Sequence, residues 1–486
     1  MQRNELIDMP VTAAADRYKS GENDIHISGQ LWYNSPVWKQ QPNTHRFDNS
    51  IMKQQSGSQA IDFLLHLSPA ENIPEAPETQ VTLSQHVEVN THIHLPPNFS
   101  AFETTEQALA LCTRENVRIL GVGNYHDFTV YNDFSRIAQA NGIFPLFCTE
   151  VIALEENLRD KGIRVNDGGN PGRYYICGKG ITKFQHLSPG AKELLNMIRN
   201  NDADRMRKIT DRMSRLFRKF AIETDLDDNA LIQCIVAHHG CQTTTVTLQE
   251  RHIALAFQQE LFKKIPRSDR KAKLREIFGC QPTSKPDDAV GIQNEIRSHL
   301  IKAGKICYEP ETFVTLRQAK ELINELGGIS CYPVLADGAS PPCEYEYPVE
   351  ELIRTLKENN YSMVEFIPVR NQPDILLKYA TAIRKAGIVV TAGTEHNTLD
   401  LIPLKPTCVQ GKPVPEELDS LFRQGACVIA AHQYLSAHDR CGFVDGHGKP
   451  NPSYDDTEQR IKDFEHLGSA LIAEYFKMKP AKDTHC

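Results

Sequence analysis

The segment NTHIHLPPNF places His92 and His94 two residues apart at the end of an alternating run. Side chains two apart on a strand leave the same face, so both imidazoles can reach one point. Neutral imidazoles presented from one rigid element ligate zinc and other transition metals. Two strand histidines can equally be half-buried polar residues, so the pair gains meaning from what stands near it. Three other apolar runs end in comparable groups. GVGNYHDFT carries His126 and Asp127, FPLFCTEVIAL carries Glu150, and VVTAGTEHNT carries Glu395, His396 and Asn397. Burying a carboxylate is costly unless a cation or a hydrogen-bond network compensates it, although a Glu at a strand mouth can also face water. A divalent ion held by such groups lowers the pKa of water toward about 7 and polarises a phosphoryl or carbonyl oxygen. Arg370, in FIPVRN, is a candidate phosphate clamp because a guanidinium binds two oxygens at once; a surface ion pair is the competing reading.

These residues need elements that converge. From His86 onward, short β-branched runs alternate with amphipathic segments, the mark of an α/β fold with parallel strands. Strands are expected at 87–94, 117–125, 143–153, 174–181, 328–332, 363–369 and 388–394, and helices at 105–115, 133–140, 316–326, 349–359 and 374–386. Gly142, Gly327 and Gly387 sit where helix C-caps are expected. Seven strands with intervening helices suggest a barrel, and four of them deliver His or Glu at the C-terminal end, where parallel α/β barrels assemble their sites.

The order of these motifs resembles the PHP (polymerase and histidinol phosphatase) superfamily: His-x-His, a strand ending in an Asp-His-like pair, a strand ending in Glu, and a late Gly-Ser-Asp-x-His-like turn. THIHLPPNFSAFETTEQALALCTRENVRILGVGNYHDF is similar to the family's first two motifs and linking helix. TLQERHIALAF and ETFVTLRQAKELINELGGISCYP are similar to its later segments. The resemblance spans residues 86–403. It implies a distorted seven-stranded, TIM-like (β/α) barrel with up to three metal ions, in a family made mostly of metal-dependent phosphoesterases, some members serving as domains of bacterial polymerases. By position, His92, His94, Glu150 and Glu395 would form one metal site. Glu150 would bridge to a second ion, and His126 with His396 or Asn397 would hold a third.

Several positions depart from that pattern. Tyr125 stands where the family has Asp, Tyr332 replaces the His of an Ala-His-Pro-like segment, and GTEHN puts Glu395 and Asn397 where Asp and His are usual. LPPNFSAF lacks the ligand expected after His-x-His. The expectation is therefore one firmly held divalent ion, zinc, manganese or iron, with room for a weaker second. His126 would protonate a leaving oxygen or hold phosphate. His432, in VIAAHQYL, is a candidate replacement for the ligand lost at Tyr332, while His238, His239 and His252 read as capping or supporting residues.

The organisation expected is an extension and Pro-Glu-rich linker over 1–84, a first barrel part over 85–186, a helical insertion over 187–304, a second barrel part over 305–440 and a helical tail over 441–486. The apolar stretch 60–68 should dock on the main body. In the insertion, Met206, Ile209, Met213, Leu216 and Phe220 form a stripe, with Arg205, Lys208, Arg212, Arg215 and Lys219 on a solvated face.

Composition bounds the rest. The chain has 486 residues and a formal charge of −8, which argues against nucleic acid as a partner. No apolar run approaches the roughly 20 residues of a membrane span, and MQRNELIDMP is too polar for a signal peptide. Thirteen cysteines without a Cys-x-x-Cys pair suit reduced thiols in a cytoplasmic protein. Three function classes stay open: a phosphoesterase acting on a small anionic metabolite, a hydrolase or lyase of non-phosphate substrates, and a non-catalytic metal-binding barrel. The residues do not disclose the oligomeric state.

Overall fold

The computed structural model describes residues 60–67 and 87–478; the expected Pro-Glu-rich linker and most of the extension lie outside the described residues. Seven strands form one sheet in chain order: β1 (Glu88–Ile93), β2 (Val117–Val122), β3 (Phe144–Leu154), β4 (Arg173–Lys179), β5 (Ile329–Val334), β6 (Met363–Phe366) and β7 (Val389–Ala392). All seven coincide with expected β-branched runs. β1 to β3 are parallel, as are β5 to β7, but β4 is antiparallel to both neighbours, which corrects the expectation of uniformly parallel strands. Beyond β7 the chain closes on β1: Ile93 pairs with Glu395, His94 N donates to Glu395 O at 2.9 Å and Glu395 N donates to His92 O at 2.8 Å. The result is an α/β barrel closed at its C-terminal ends.

The helices begin with α1 (Asp62–Leu65), α2 (Thr105–Arg114), α3 (Val130–Ala140) and α4 (Glu156–Asp160). Thr104 caps α2 by accepting from Gln107 N, satisfying one of the donors a helix N-terminus leaves open. In α1, Phe63 packs edge-on against Phe144 and Tyr475, so this apolar stretch does dock on the main body.

Between β4 and β5 lie α5 (Pro189–Lys219), α6 (Asp228–His239), α7 (Glu250–Lys264), α8 (Arg267–Phe278) and α9 (Ala289–Ile296), the last running into a π turn (Arg297–Ile301). They build their own core from Met206, Ile209, Met213, Phe217 and Phe257 among others. Arg205 is not on the solvated face: its side chain is 2% exposed and donates to Glu250 at 2.8 Å.

The second half adds α10 (Leu316–Glu325), α11 (Val349–Glu358), α12 (Pro373–Lys385), α13 (Glu416–Ala437) and α14 (Thr457–Lys477). α13 packs across the N-terminal ends of the strands, where Gln433 bonds both Phe147 N and Pro145 O. His432 belongs to this floor. Its ring bonds Gly327 O and Phe443 N at 3.0 Å each, so it does not replace a ligand at the opposite end of the barrel. No disulfide joins the described cysteines, and among the described residues no helix is long and apolar enough to cross a membrane.

Buried and half-buried histidines make this packing acid-sensitive. Burial lowers His432 and His239 to about 4 and His252 to about 3. Below about pH 6.5 the unfolded chain takes up protons that these folded rings refuse, so stability present at neutral pH is lost as pH falls. Glu346 acts oppositely: burial raises it to about 7, which favours the folded state between about pH 7 and 4.5. With His396 also lowered to about 4, the histidines outnumber Glu346, and stability is expected to fall as pH drops through that window. Urea melts at pH 7.5 and 5.0 check this; equal midpoints would contradict it.

Candidate metal centre and its cavity

β1 and β3 bring three donor atoms to one place. His94 Nε2 lies 3.1 Å from Glu150 Oε2, and His92 Nε2 lies 3.7 Å from the same oxygen. All three side chains are buried, and none of these three atoms has a hydrogen-bond partner. Unpaired buried polar atoms are costly, so three converging on one point fit ligands to a cation. Burial would raise the Glu150 carboxyl, but the neighbouring His94 and His92 outweigh it and hold it below the ordinary range.

The next layer decides which ring nitrogen is offered. His92 Nδ1 lies 2.7 Å from Glu365 Oε2 on β6, so the proton belongs on Nδ1 and the Nε2 lone pair faces the cluster. Glu365 Oε1 accepts from Lys179 Nζ and from Thr91 Oγ1 at 2.8 Å. Both Glu365 and Lys179 are fully buried. Burial would raise Glu365, but Lys179 first and then His92 hold it down at about 2. Two glycines leave room for the His92 side chain: a Cβ on Gly123 would sit 2.7 Å from His92 Nε2, and one on Gly393 2.4 Å from His92 Cβ. His94 stacks on Tyr125, with ring centroids 5.2 Å apart and planes 7° apart. Motif spacing does not point to Glu365 or Lys179; the readable signal is a lone charge inside each of the apolar runs MVEF and YICGKG.

Other expected ligands are placed differently. Glu395 Oε2 accepts from Arg370 Nη2 and from Asn397 Nδ2 at 2.7 Å, and it does not join the converging atoms. Arg370 is thus an ion-pair partner on the cavity wall rather than an open clamp. His396 is turned away, because Nε2 donates to Ile402 O at 2.9 Å, Nδ1 accepts from Thr394 Oγ1 at 2.8 Å, and the ring stacks on Phe102. It has no lone pair left for a metal. His126 stands apart from it, with Nε2 3.4 Å from Asp202 Oδ2 of α5. Tyr332 lies on the strand face opposite Cys331 and Pro333, and its hydroxyl donates to Glu346 at 2.9 Å. A second grouping, His92, Cys177 and Glu365, is already satisfied by the Lys179 ammonium, whose charge disfavours another cation.

His126, Glu395 and His396 have φ of 52°, 58° and 52°. Non-glycine residues in that region carry about 1–3 kcal/mol of strain each, and such strain gathers at functional sites. The insertion roofs the site. A cavity of about 460 Å3 is lined by His126, Glu150 and Arg370 from the barrel and by Asp202, Arg251 and Arg297 from the insertion.

No protein-family model and no curated protein matches the chain. Among solved structures it is similar to a protein described as a metal-dependent phosphoesterase from Bifidobacterium adolescentis, at 10% identity and TM-score 0.45, over 69% of this chain and 96% of that one. It is also similar to an amidohydrolase from Chromobacterium violaceum with bound sulfate and no metal, at 16% identity and TM-score 0.42, over 69% and 97%.

Proposed function

We propose that the chain is a metal-dependent hydrolase that cleaves a phosphate ester of a small anionic molecule. The observation that carries this is the convergence of buried, unpaired His92 Nε2, His94 Nε2 and Glu150 Oε2, with Glu150 on the wall of a cavity that guanidinium groups also line. Two imidazoles and one carboxylate form a donor set found in catalytic zinc sites, and the same set suits manganese or iron. A divalent ion held there supplies Lewis acidity, polarising the ester oxygen and lowering the pKa of water.

The chain's own groups do the remaining work. Glu365 holds the His92 proton on Nδ1, which keeps Nε2 a donor of electrons rather than of hydrogen. His126 presents Nε2 beside Asp202 on the cavity wall, where the ring can pass a proton to a leaving oxygen. The insertion covers the cavity and limits water around the reacting groups. The order of the PHP-like motifs supports phosphate as the group attacked.

The test is turnover of p-nitrophenyl phosphate and a panel of sugar and nucleoside phosphates by chelator-stripped protein reloaded with zinc, manganese or iron. Activity is expected only after reloading, and His126→Gln should lower kcat by about 10²–10⁴-fold while flattening one limb of the pH profile. Metal-replete protein inert across the panel would reject the phosphoesterase reading.

A further inference from the structure

One cation in the cavity has no ion-pair partner among the described residues. Arg251, the second residue of α7, is half-buried on the cavity wall, and its guanidinium makes no hydrogen bond or ion pair with any described residue. Burial first, then repulsion from Arg297, pulls it down to about 10. Glu395 attracts it only from beyond ion-pair distance and is itself bonded to Arg370 and Asn397. Arg297 opens the π turn after α9, and its Nε is buried without a partner. The nearest carboxylate to Arg297 is Glu250, which is shared three ways: Arg205 lies 2.8 Å from it, Arg297 3.5 Å and Lys302 3.6 Å. Arg370 is already committed to Glu395. Positive charge therefore exceeds negative charge on the insertion side of the cavity, where water cannot screen it well.

We propose that Arg251 and Arg297 form a binding site for an oxyanion group of the substrate remote from the bond that is cleaved. A planar guanidinium fork matches two oxygens of a phosphate or carboxylate, and a partly desolvated fork without a partner gains most from such a ligand. Arg251, Arg297 and Glu150 line one cavity of about 460 Å3, within the size range of small-molecule sites, so one ligand can touch both ends. The substrate then carries two anionic groups, one at the metal centre and one held by the insertion. This rests on the hydrolase reading only in naming the ligand as substrate; the anion site itself is a property of the insertion. Because π turns recur at functional sites, the position of Arg297 at the start of one is consistent with a dedicated role.

The experiment uses chelator-stripped full-length protein, titrated calorimetrically with inorganic phosphate and, in a parallel arm, with succinate. Wild type is expected to bind at least one of them, and Arg251→Met and Arg297→Met should each weaken that binding at least tenfold, with circular dichroism unchanged. Tighter phosphate binding assigns a phosphoryl group, and tighter succinate binding assigns a carboxylate. Should Arg251→Met fail to fold, Arg251→Lys keeps the charge, loses the fork and should still bind several-fold more weakly. Absence of binding to wild type, or binding unchanged in the arginine variants, would overturn the proposal. If no metal binds the protein yet anion binding falls with Arg251, the hydrolase reading fails and the anion site stands.

Discussion

Glu150→Gln is expected to remove metal binding. Glu150 supplies the carboxylate of the three-atom cluster, and an amide oxygen carries no charge to hold a cation against two neutral imidazoles. In the metal-free protein His94 and His92 outweigh burial and hold this carboxylate in its charged form, so the amide is expected to make the metal-free fold no more stable than wild type. Metal at a hundredfold excess over its Kd should stabilise wild type by about 2.7 kcal/mol and the variant by nothing. Thermal melts with and without zinc read both effects. Turnover, where metal supplies it, should fall by at least about 10³-fold. A variant that stays metal-responsive would mean that the cation sits elsewhere.

Lys179→Met should be the most damaging single change away from the cluster. Lys179 and Glu365 are both fully buried and bonded to each other. Removing one partner of a buried pair strands the other, at a cost of about 3–5 kcal/mol. The stranded Glu365 then rises toward protonation, because burial, the dominant influence on it, is no longer opposed by the ammonium. A protonated Glu365 holds the His92 Nδ1 proton less firmly, and metal affinity should fall by about 10–100-fold. The double variant Lys179→Met/Glu365→Gln separates the two effects. Stability should largely return, because neither charge of the pair remains buried, while metal affinity stays low. Recovery of both would make the pair purely structural.

What could be read from the residues, and what could not, divides along physical lines. The strands were legible because parallel strands buried on both faces are continuous β-branched runs, and several helix ends because Gly142, Gly327 and Gly387 adopt positive φ there. The direction of β4 left no mark in composition: an antiparallel strand buried on both faces reads like a parallel one. α13 escaped for the opposite reason to most helices. From Gly425 to Ser436 it is buried all round, so it has no polar face and no 3.6-residue stripe. Its residue Gly425 is needed for close approach, as a Cβ there would meet Val390 O at 2.3 Å.

The site was half visible. His92, His94 and Glu150 could be found because strand alternation fixes which way they point. Glu395 and His396 followed the same pattern, yet their left-handed backbone breaks the alternation and turns them to Arg370 and Ile402. Arg205 looked like one charge among many on a helix face, and only the fold of the insertion over the barrel reveals that it is buried. Glu365 and Lys179 carried a signal as strong as that of Glu150, a charge within an apolar strand, but each needed the other to be interpretable.

His92, His94 and Glu150 are expected to hold one divalent cation. Elemental analysis of the purified protein, followed by zinc titration after chelation, tests it most directly. One tightly bound equivalent per chain is predicted for wild type and none for Glu150→Gln. A wild-type protein that binds no metal, or a Glu150→Gln variant that retains the full equivalent, would contradict it.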